Sequence, residues 1–147
     1  MKILFVCTGN TCRSPMLKFM FEDYLARLGV TNISVDCAGL LKQWQGKTVT
    51  PEAVKVLEAH GVACNKNYLS KYVDDGTAFC SDCIICVTEE CAKSLKKQYP
   101  TLCNVISLFE LSVGDVQDPY GQGVEAYDKV YMVFEKALPQ ILEYIQK

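Results

Sequence analysis

Five residues, Thr8-Gly9-Asn10-Thr11-Cys12, separate Cys7 from Arg13, and Ser14 and Pro15 follow at once. A turn this tight between a strand and a helix N-terminus aims successive backbone N–H groups inward, as a nest for an anion. Arg13 adds a planar fork that can bind two phosphoryl oxygens together and keeps its charge at any working pH. The same surroundings favour the thiolate of Cys7, the nucleophilic form of a thiol. The chemistry implied is attack of sulfur on a phosphoryl group held by Thr8 to Ser14. Gly9 is read as permitting awkward dihedrals. Asn10 tolerates a left-handed backbone and can bond neighbouring loop groups, and the Ser14 hydroxyl can hydrogen-bond the sulfur. An ordinary strand-to-helix turn accounts for Gly9 and Pro15 but leaves Cys7 and Arg13 unexplained.

The elements needed to hold such a loop can be read on both sides of it. Ile3 to Cys7 is an apolar run suited to a strand buried on both faces of a parallel sheet. Ser14 as N-cap and Pro15 at the first helical position open a helix carrying Leu17, Phe21, Tyr24, Leu25 and Leu28, closed by Gly29. Further strands are expected at Ile33 to Cys37, Cys83 to Val87 and Val105-Ile106. Helices are expected from Thr50-Pro51 to His60-Gly61, from Glu89 to Gln98, and from Val124 to Gln146 with a bend at Pro139. Leu40 to Val49 is read as a long loop. The alternation implies one α/β domain over residues 1–147: a three-layer sandwich whose four-stranded parallel sheet has helices on both faces, with ligands beyond the strand C-terminal ends.

Composition narrows the function classes. A net charge of −2 gives no basic surplus, which argues against nucleic acid or an anionic membrane as the main partner. The short apolar start, halted by Thr8-Gly9-Asn10-Thr11, is neither a signal peptide nor a membrane span, so a cytoplasmic setting is expected. Nine cysteines, an odd number in a chain this long, read as mostly buried, reduced thiols rather than a disulfide framework.

The run Val6 to Met16, V-C-T-G-N-T-C-R-S-P-M, resembles the signature of the low-molecular-weight protein tyrosine phosphatases, and chain length and order of elements agree throughout. The resemblance implies that Cys7 is the nucleophile, that Arg13 binds the phosphoryl group, and that the Asp of Asp118-Pro119 is the general acid. Protonating the departing atom lets the thiophosphate form. Asp118 then serves as base for the water that hydrolyses it, with no metal or cofactor. Without the resemblance, Asp118-Pro119 reads as a turn initiator.

Thr11 departs from the commonest family pattern, in which a larger aliphatic residue stands between the matching asparagine and cysteine. The sequence looks most like the bacterial protein-arginine phosphatase branch, sharing C-T-G-N-T-C-R-S-P-M, the G-K-x-x-T-P at Gly46 and the G-D-V-x-D-P-[FY]-G at Gly114. In that branch the matching threonine is held to favour phosphoarginine. A loop hydroxyl can help place groups around a phosphoramidate where a bulky aliphatic side chain would crowd it. Trp44 and Tyr120 are expected to flank the pocket, able to stack on a phenyl ring or a guanidinium, though either could equally pack on the surface. The partners implied are phosphorylated proteins, with inorganic phosphate as product and inhibitor.

Other residues invite rival readings. Cys12 is near enough in sequence to pair reversibly with Cys7 on oxidation, or else is a small packing residue. Cys80, Cys83 and Cys86, with Cys91 beyond, have the spacing of iron–sulfur ligands. Cys83 and Cys86 lie within a strand, however, where they cannot converge on one cluster. Thioredoxin-coupled arsenate reductases resemble this fold and loop, but Thr88 stands where a relay cysteine is needed. A non-catalytic phosphate-binding module would have no use for Cys7 and Asp118. His60 reads as a helix cap, and Tyr127 and Tyr131 as packing residues.

Overall fold

The computed structural model describes residues 1–147. Four parallel strands, β1 (Lys2–Cys7), β2 (Ser34–Gly39), β3 (Cys83–Cys86) and β4 (Val105–Ser107), form one sheet in the order β2-β1-β3-β4. β1 is central, pairing along its whole length with β2 and over Ile3 to Val6 with β3. Alternation along β1 divides the core. Ile3, Phe5 and Cys7 face a cluster filled by α1 (Arg13–Leu28), α2 (Pro51–Ala59) and α5 (Val124–Ile145). Leu4 and Val6 face a smaller cluster under α3 (Asp75–Cys80) and α4 (Glu89–Gln98). Ile3 to Cys7 are each at most 2% exposed, so this strand reads as an unbroken apolar run because both of its faces are covered. Fully burying a side chain such as Phe5 contributes about 1.5–3 kcal/mol relative to leaving it in water.

The helices begin and end for local reasons. Gly29 takes a left-handed φ of 70° and closes α1, with its N–H and that of Val30 returning to the last turn. Thr50 precedes Pro51 at the first position of α2, and the Thr88 side chain accepts from Cys91 N at 3.0 Å to cap α4. α5 runs through Pro139 as one helix, with Tyr127, Val130, Phe134, Ala137, Leu138, Ile141 and Ile145 on its buried face. Val133 of α5 is exposed, and so is Leu28, which was expected on the buried face of α1.

Several expectations need correction. α1 starts one residue before the predicted cap, at Arg13, with Cys12 in the cap position and no side-chain capping bond. Ser14 is not the cap because its hydroxyl is engaged by Cys7 and Asn10 inside the loop. Pro15 is accordingly the third helical residue, tolerated because its missing N–H falls in the turn where amides have no intrahelical partner. α3 was not anticipated, although Asp74 and Thr77 form a reciprocal capping box at its start. The segment after Gly39 is less irregular than a plain loop. It makes a short 3₁₀ turn at Lys42–Trp44 and bridges Thr48 to Leu69. No helix is long and apolar enough to cross a membrane.

Candidate active site

The loop from Thr8 to Cys12 leaves the C-terminal end of β1 and delivers the chain into α1. Its shape is set from beneath by Gly39 of β2, paired in register with Cys7. A Cβ on Gly39 would stand 2.9 Å from Gly9 C and from Thr8 O, so any side chain there would push the loop away. Asn10 takes φ 59°, one of only two non-glycine residues in left-handed backbone, and it is fully buried. Such strain persists where the surroundings over-determine it. Here Asn10 Oδ1 accepts from the Tyr68 hydroxyl and from Lys71 N at 2.8 Å, while its Nδ2 donates to Ser14 Oγ at 2.8 Å.

Gly9 differs from expectation. Its φ is not among the positive ones, so conformational freedom is not its use. Instead a Cβ would lie 3.3 Å from Trp44 Cγ, and the missing side chain lets the indole close over the loop. Trp44 is held there by the Ser70 hydroxyl, which donates to Trp44 O and accepts from Lys47 N at 2.8 Å.

Cys7, Thr8, Gly9, Thr11, Cys12, Arg13, Trp44, Asp118 and Tyr120 line one small cavity of about 170 Å³. The Cys7 sulfur is turned toward the loop, receiving Asn10 N at 3.2 Å and lying 3.0 Å from Ser14 Oγ. The amides of Gly9, Thr11 and Cys12 donate to no protein acceptor. Arg13, only 5% exposed, gives Nη1 to Val116 O at 2.9 Å and Nη2 to Thr8 Oγ1 at 3.3 Å. Its Nε is buried without any partner. Leaving such a charged donor unsatisfied is costly, and an oxyanion beside Cys7 is the acceptor that would satisfy both Nε and the loop amides.

Asp118 stands opposite the loop on the segment between β4 and α5, with Oδ2 3.8 Å from Arg13 Nη2 and Oδ1 3.7 Å from Cys12 Sγ. Its Oδ1 also accepts from Tyr120 N at 3.1 Å, so Asp118-Pro119 is a turn as well as a wall of the cavity. The side chain is about half exposed. Trp44 and Tyr120 meet edge to face at the mouth, ring centroids 5.7 Å apart. Every residue expected at the site therefore borders this cavity except Asn10 and Ser14, which lie behind it and fix its shape.

Tyr68 and Lys71, the supports of Asn10, were missed, and residues 62–74 hold no periodicity that would have marked them. Val116 O, which orients Arg13, was missed for the same reason.

The remaining candidates lie elsewhere. Cys83 and Cys86 belong to opposite core clusters, on the two faces of the sheet. Thr88 is a helix cap, and the Cys91 thiol is buried against Val6 O. His60 caps α2, stacks on Tyr131 with ring centroids 3.8 Å apart and meets Asp128 at 3.0 Å, away from the cavity.

Comparison with known proteins places the chain in a family. The family model described as low molecular weight phosphotyrosine protein phosphatase matches residues 2–147. Among curated relatives, the protein-arginine-phosphatase of Bacillus subtilis is 32% identical, covering 100% of this chain and 98% of its own length. The low molecular weight protein-tyrosine-phosphatase PtpB of Staphylococcus haemolyticus is 28% identical over 89% and 90% of the two chains. Among solved structures, a YwlE arginine phosphatase with a cysteine-to-serine replacement and a phosphorylated active-site serine superposes with a TM-score of 0.90 at 30% identity, covering 100% of this chain and 97% of that one. The chain belongs to the low molecular weight phosphotyrosine protein phosphatase family.

Proposed function

We propose that residues 1–147 act as one catalytic domain that removes phosphoryl groups from protein side chains in the cytoplasm, with Cys7 as nucleophile, Arg13 as phosphoryl clamp and Asp118 as general acid, and that its preferred substrate is phosphoarginine. The buried, partnerless Arg13 Nε beside the Cys7 sulfur carries the reading. In the first step sulfur bonds to phosphorus as the P–O or P–N bond breaks, and the departing atom takes the proton of Asp118. In the second, water gives its proton to the Asp118 carboxylate and its oxygen to phosphorus. The P–S bond then breaks, regenerating the thiolate and releasing inorganic phosphate, which competes for the same nest. The free amides of Gly9, Thr11 and Cys12 and the Arg13 guanidinium hold the equatorial oxygens, Asn10 and Ser14 fix the loop from behind, and the Trp44–Tyr120 pair flanks the substrate side chain. No metal, cofactor, nucleic acid or membrane takes part in this scheme.

Two observations support phosphoarginine over phosphotyrosine. Thr11, 6% exposed, puts a small hydroxyl side chain into the cavity wall where a larger aliphatic group would narrow it. The 32%-identical curated relative is a protein-arginine-phosphatase. Nine free thiols, most of them buried, suit a reducing compartment. A paired assay tests the substrate. The wild type should hydrolyse a phosphoarginine peptide faster than a phosphotyrosine peptide of the same sequence, and Thr11→Ile should shift the ratio toward phosphotyrosine. Equal ratios in both proteins would contradict the selectivity.

A further inference from the structure

Cys12 contributes an amide to the proposed nest, but its side chain has no task in the chemistry above. It is 5% exposed, and its sulfur meets a carboxylate 106 residues away, Asp118 Oδ1, at 3.7 Å. Burial first, then the neighbouring Cys7 and Asp118, push its thiol up to about 12, so near neutral pH the sulfur carries its proton. Beside that sulfur lies the hydroxyl of Tyr127, 1% exposed, with that of Thr50, 8% exposed, next to the Tyr127 hydroxyl in turn, neither completing a hydrogen bond to any group.

The donors and acceptors of this cluster can be satisfied in one direction. Stranding a buried hydroxyl costs about 1–3 kcal/mol. A thiol sulfur can accept from a neighbouring hydroxyl when its own proton points elsewhere, and the strongest acceptor within reach of that proton is the Asp118 carboxylate. The hydroxyl of Tyr127 then points to the sulfur, and the S–H points to Asp118 Oδ1, which also receives Tyr120 N at 3.1 Å. Hydrogen bonds aligned in one direction polarise and strengthen one another. With two donors on Oδ1, the oxygen left without a hydrogen bond is Oδ2, on the Arg13 side.

We infer that Cys12 is a positioning residue for the general acid: its thiol, backed by the Tyr127 hydroxyl, holds Asp118 Oδ1 so that the transferable proton resides on Oδ2, facing the phosphoryl pocket. The inference rests on the assignment of Asp118 as the acid. Without the S–H contact the carboxyl can rotate and carry its proton on the wrong oxygen. That failure is felt most by substrates whose leaving group needs the proton most.

The test is the rate of phosphoenzyme formation with two aryl phosphates, para-nitrophenyl phosphate, a good leaving group, and phenyl phosphate, a poor one. In Cys12→Ala the loss on phenyl phosphate should exceed the loss on para-nitrophenyl phosphate by about 5-fold, a fraction of what a general acid supplies. Cys12→Ser, which keeps a donor, should bring the two losses back together. Tyr127→Phe, which removes only a hydroxyl, should show the same imbalance at about 2-fold. Equal losses on both substrates in Cys12→Ala and Tyr127→Phe would overturn the inference, and should Cys12→Ala fail to fold, Tyr127→Phe decides alone. Asp118→Asn separates the two levels. A strong imbalance there with none in the Cys12 and Tyr127 variants removes only the role given to Cys12, whereas no imbalance in Asp118→Asn removes the acid assignment and this inference with it.

Discussion

The Ser14 hydroxyl lies 3.0 Å from the Cys7 sulfur and accepts Asn10 Nδ2 at 2.8 Å. Because Asn10 occupies one lone pair, the Ser14 proton is free to point at sulfur, the competing acceptor Ala38 O being more distant at 3.4 Å. A hydrogen bond given to sulfur favours its anion, which in the proposed scheme is both the attacking group of the first step and the leaving group of the second. Ser14→Ala should therefore slow phosphocysteine breakdown by roughly tenfold, about the worth of one charge-assisted hydrogen bond. Stopped-flow measurement should show a larger burst and a slower steady state. An unchanged steady state would place the hydroxyl outside the mechanism.

Asn10 joins the loop to residues far away in the chain, through Tyr68 and Lys71. Asn10→Ala would leave those two donors and the Ser14 hydroxyl without their partner and place alanine in left-handed backbone that it disfavours. The expected loss is about 2–4 kcal/mol of stability, together with a drop in kcat. Urea unfolding measures the first. A Tyr68→Phe variant should show part of the same loss, because it removes one of the same bonds.

Trp44 and Tyr120 touch each other at the cavity mouth, and Tyr120 is 53% exposed, so neither is needed to hold the core. Trp44→Ala or Tyr120→Ala should raise KM for a phosphopeptide several-fold, consistent with loss of about 1 kcal/mol of aromatic contact, and move the melting temperature little. A fall in kcat at constant KM would mean that the pair shapes the loop and does not hold the substrate.

Stability should decline at alkaline pH for a reason visible in the core. Burial pushes the thiols of Cys12 and Cys37 from 9.0 up to about 12, and that of Cys83 up to about 11. These folded-state values exceed the unfolded one, so the unfolded chain releases protons first. The associated stability is intact below pH 9 and is lost as pH rises toward 11 to 12. By pH 10 each such thiol should lower unfolding free energy by about 1 kcal/mol. Urea midpoints from pH 8 to pH 10 would reveal the decline, and Cys37→Ala should make it shallower.

What could be read from the sequence followed from local chemistry. β1 was legible because both of its faces are buried, α4 because Pro100 closes it just beyond Gln98, and the loop because Cys7, Arg13, Ser14 and Pro15 form a dense pattern. Asp118 depended on family resemblance, since an Asp-Pro pair also makes a turn, and in the structure it both turns the chain and lines the cavity. The supports that shape the loop were hidden. Gly39 matters because Thr8 and Gly9 press on it, and Tyr68 because it reaches Asn10 across 58 residues of chain; no spacing rule encodes such long-range contacts. Ser14 was misread as a cap because its residue type suits that role, and tertiary hydrogen bonds took the hydroxyl instead.

The central claim is that Cys7 sulfur itself carries the phosphoryl group. Rapid acid-free quenching of wild-type enzyme with a radiolabelled phosphopeptide, followed by digestion and mass spectrometry, should place transient label on the peptide containing Cys7, and Cys7→Ala should form none. Label on another residue, or turnover by Cys7→Ala at the wild-type rate, would contradict the account.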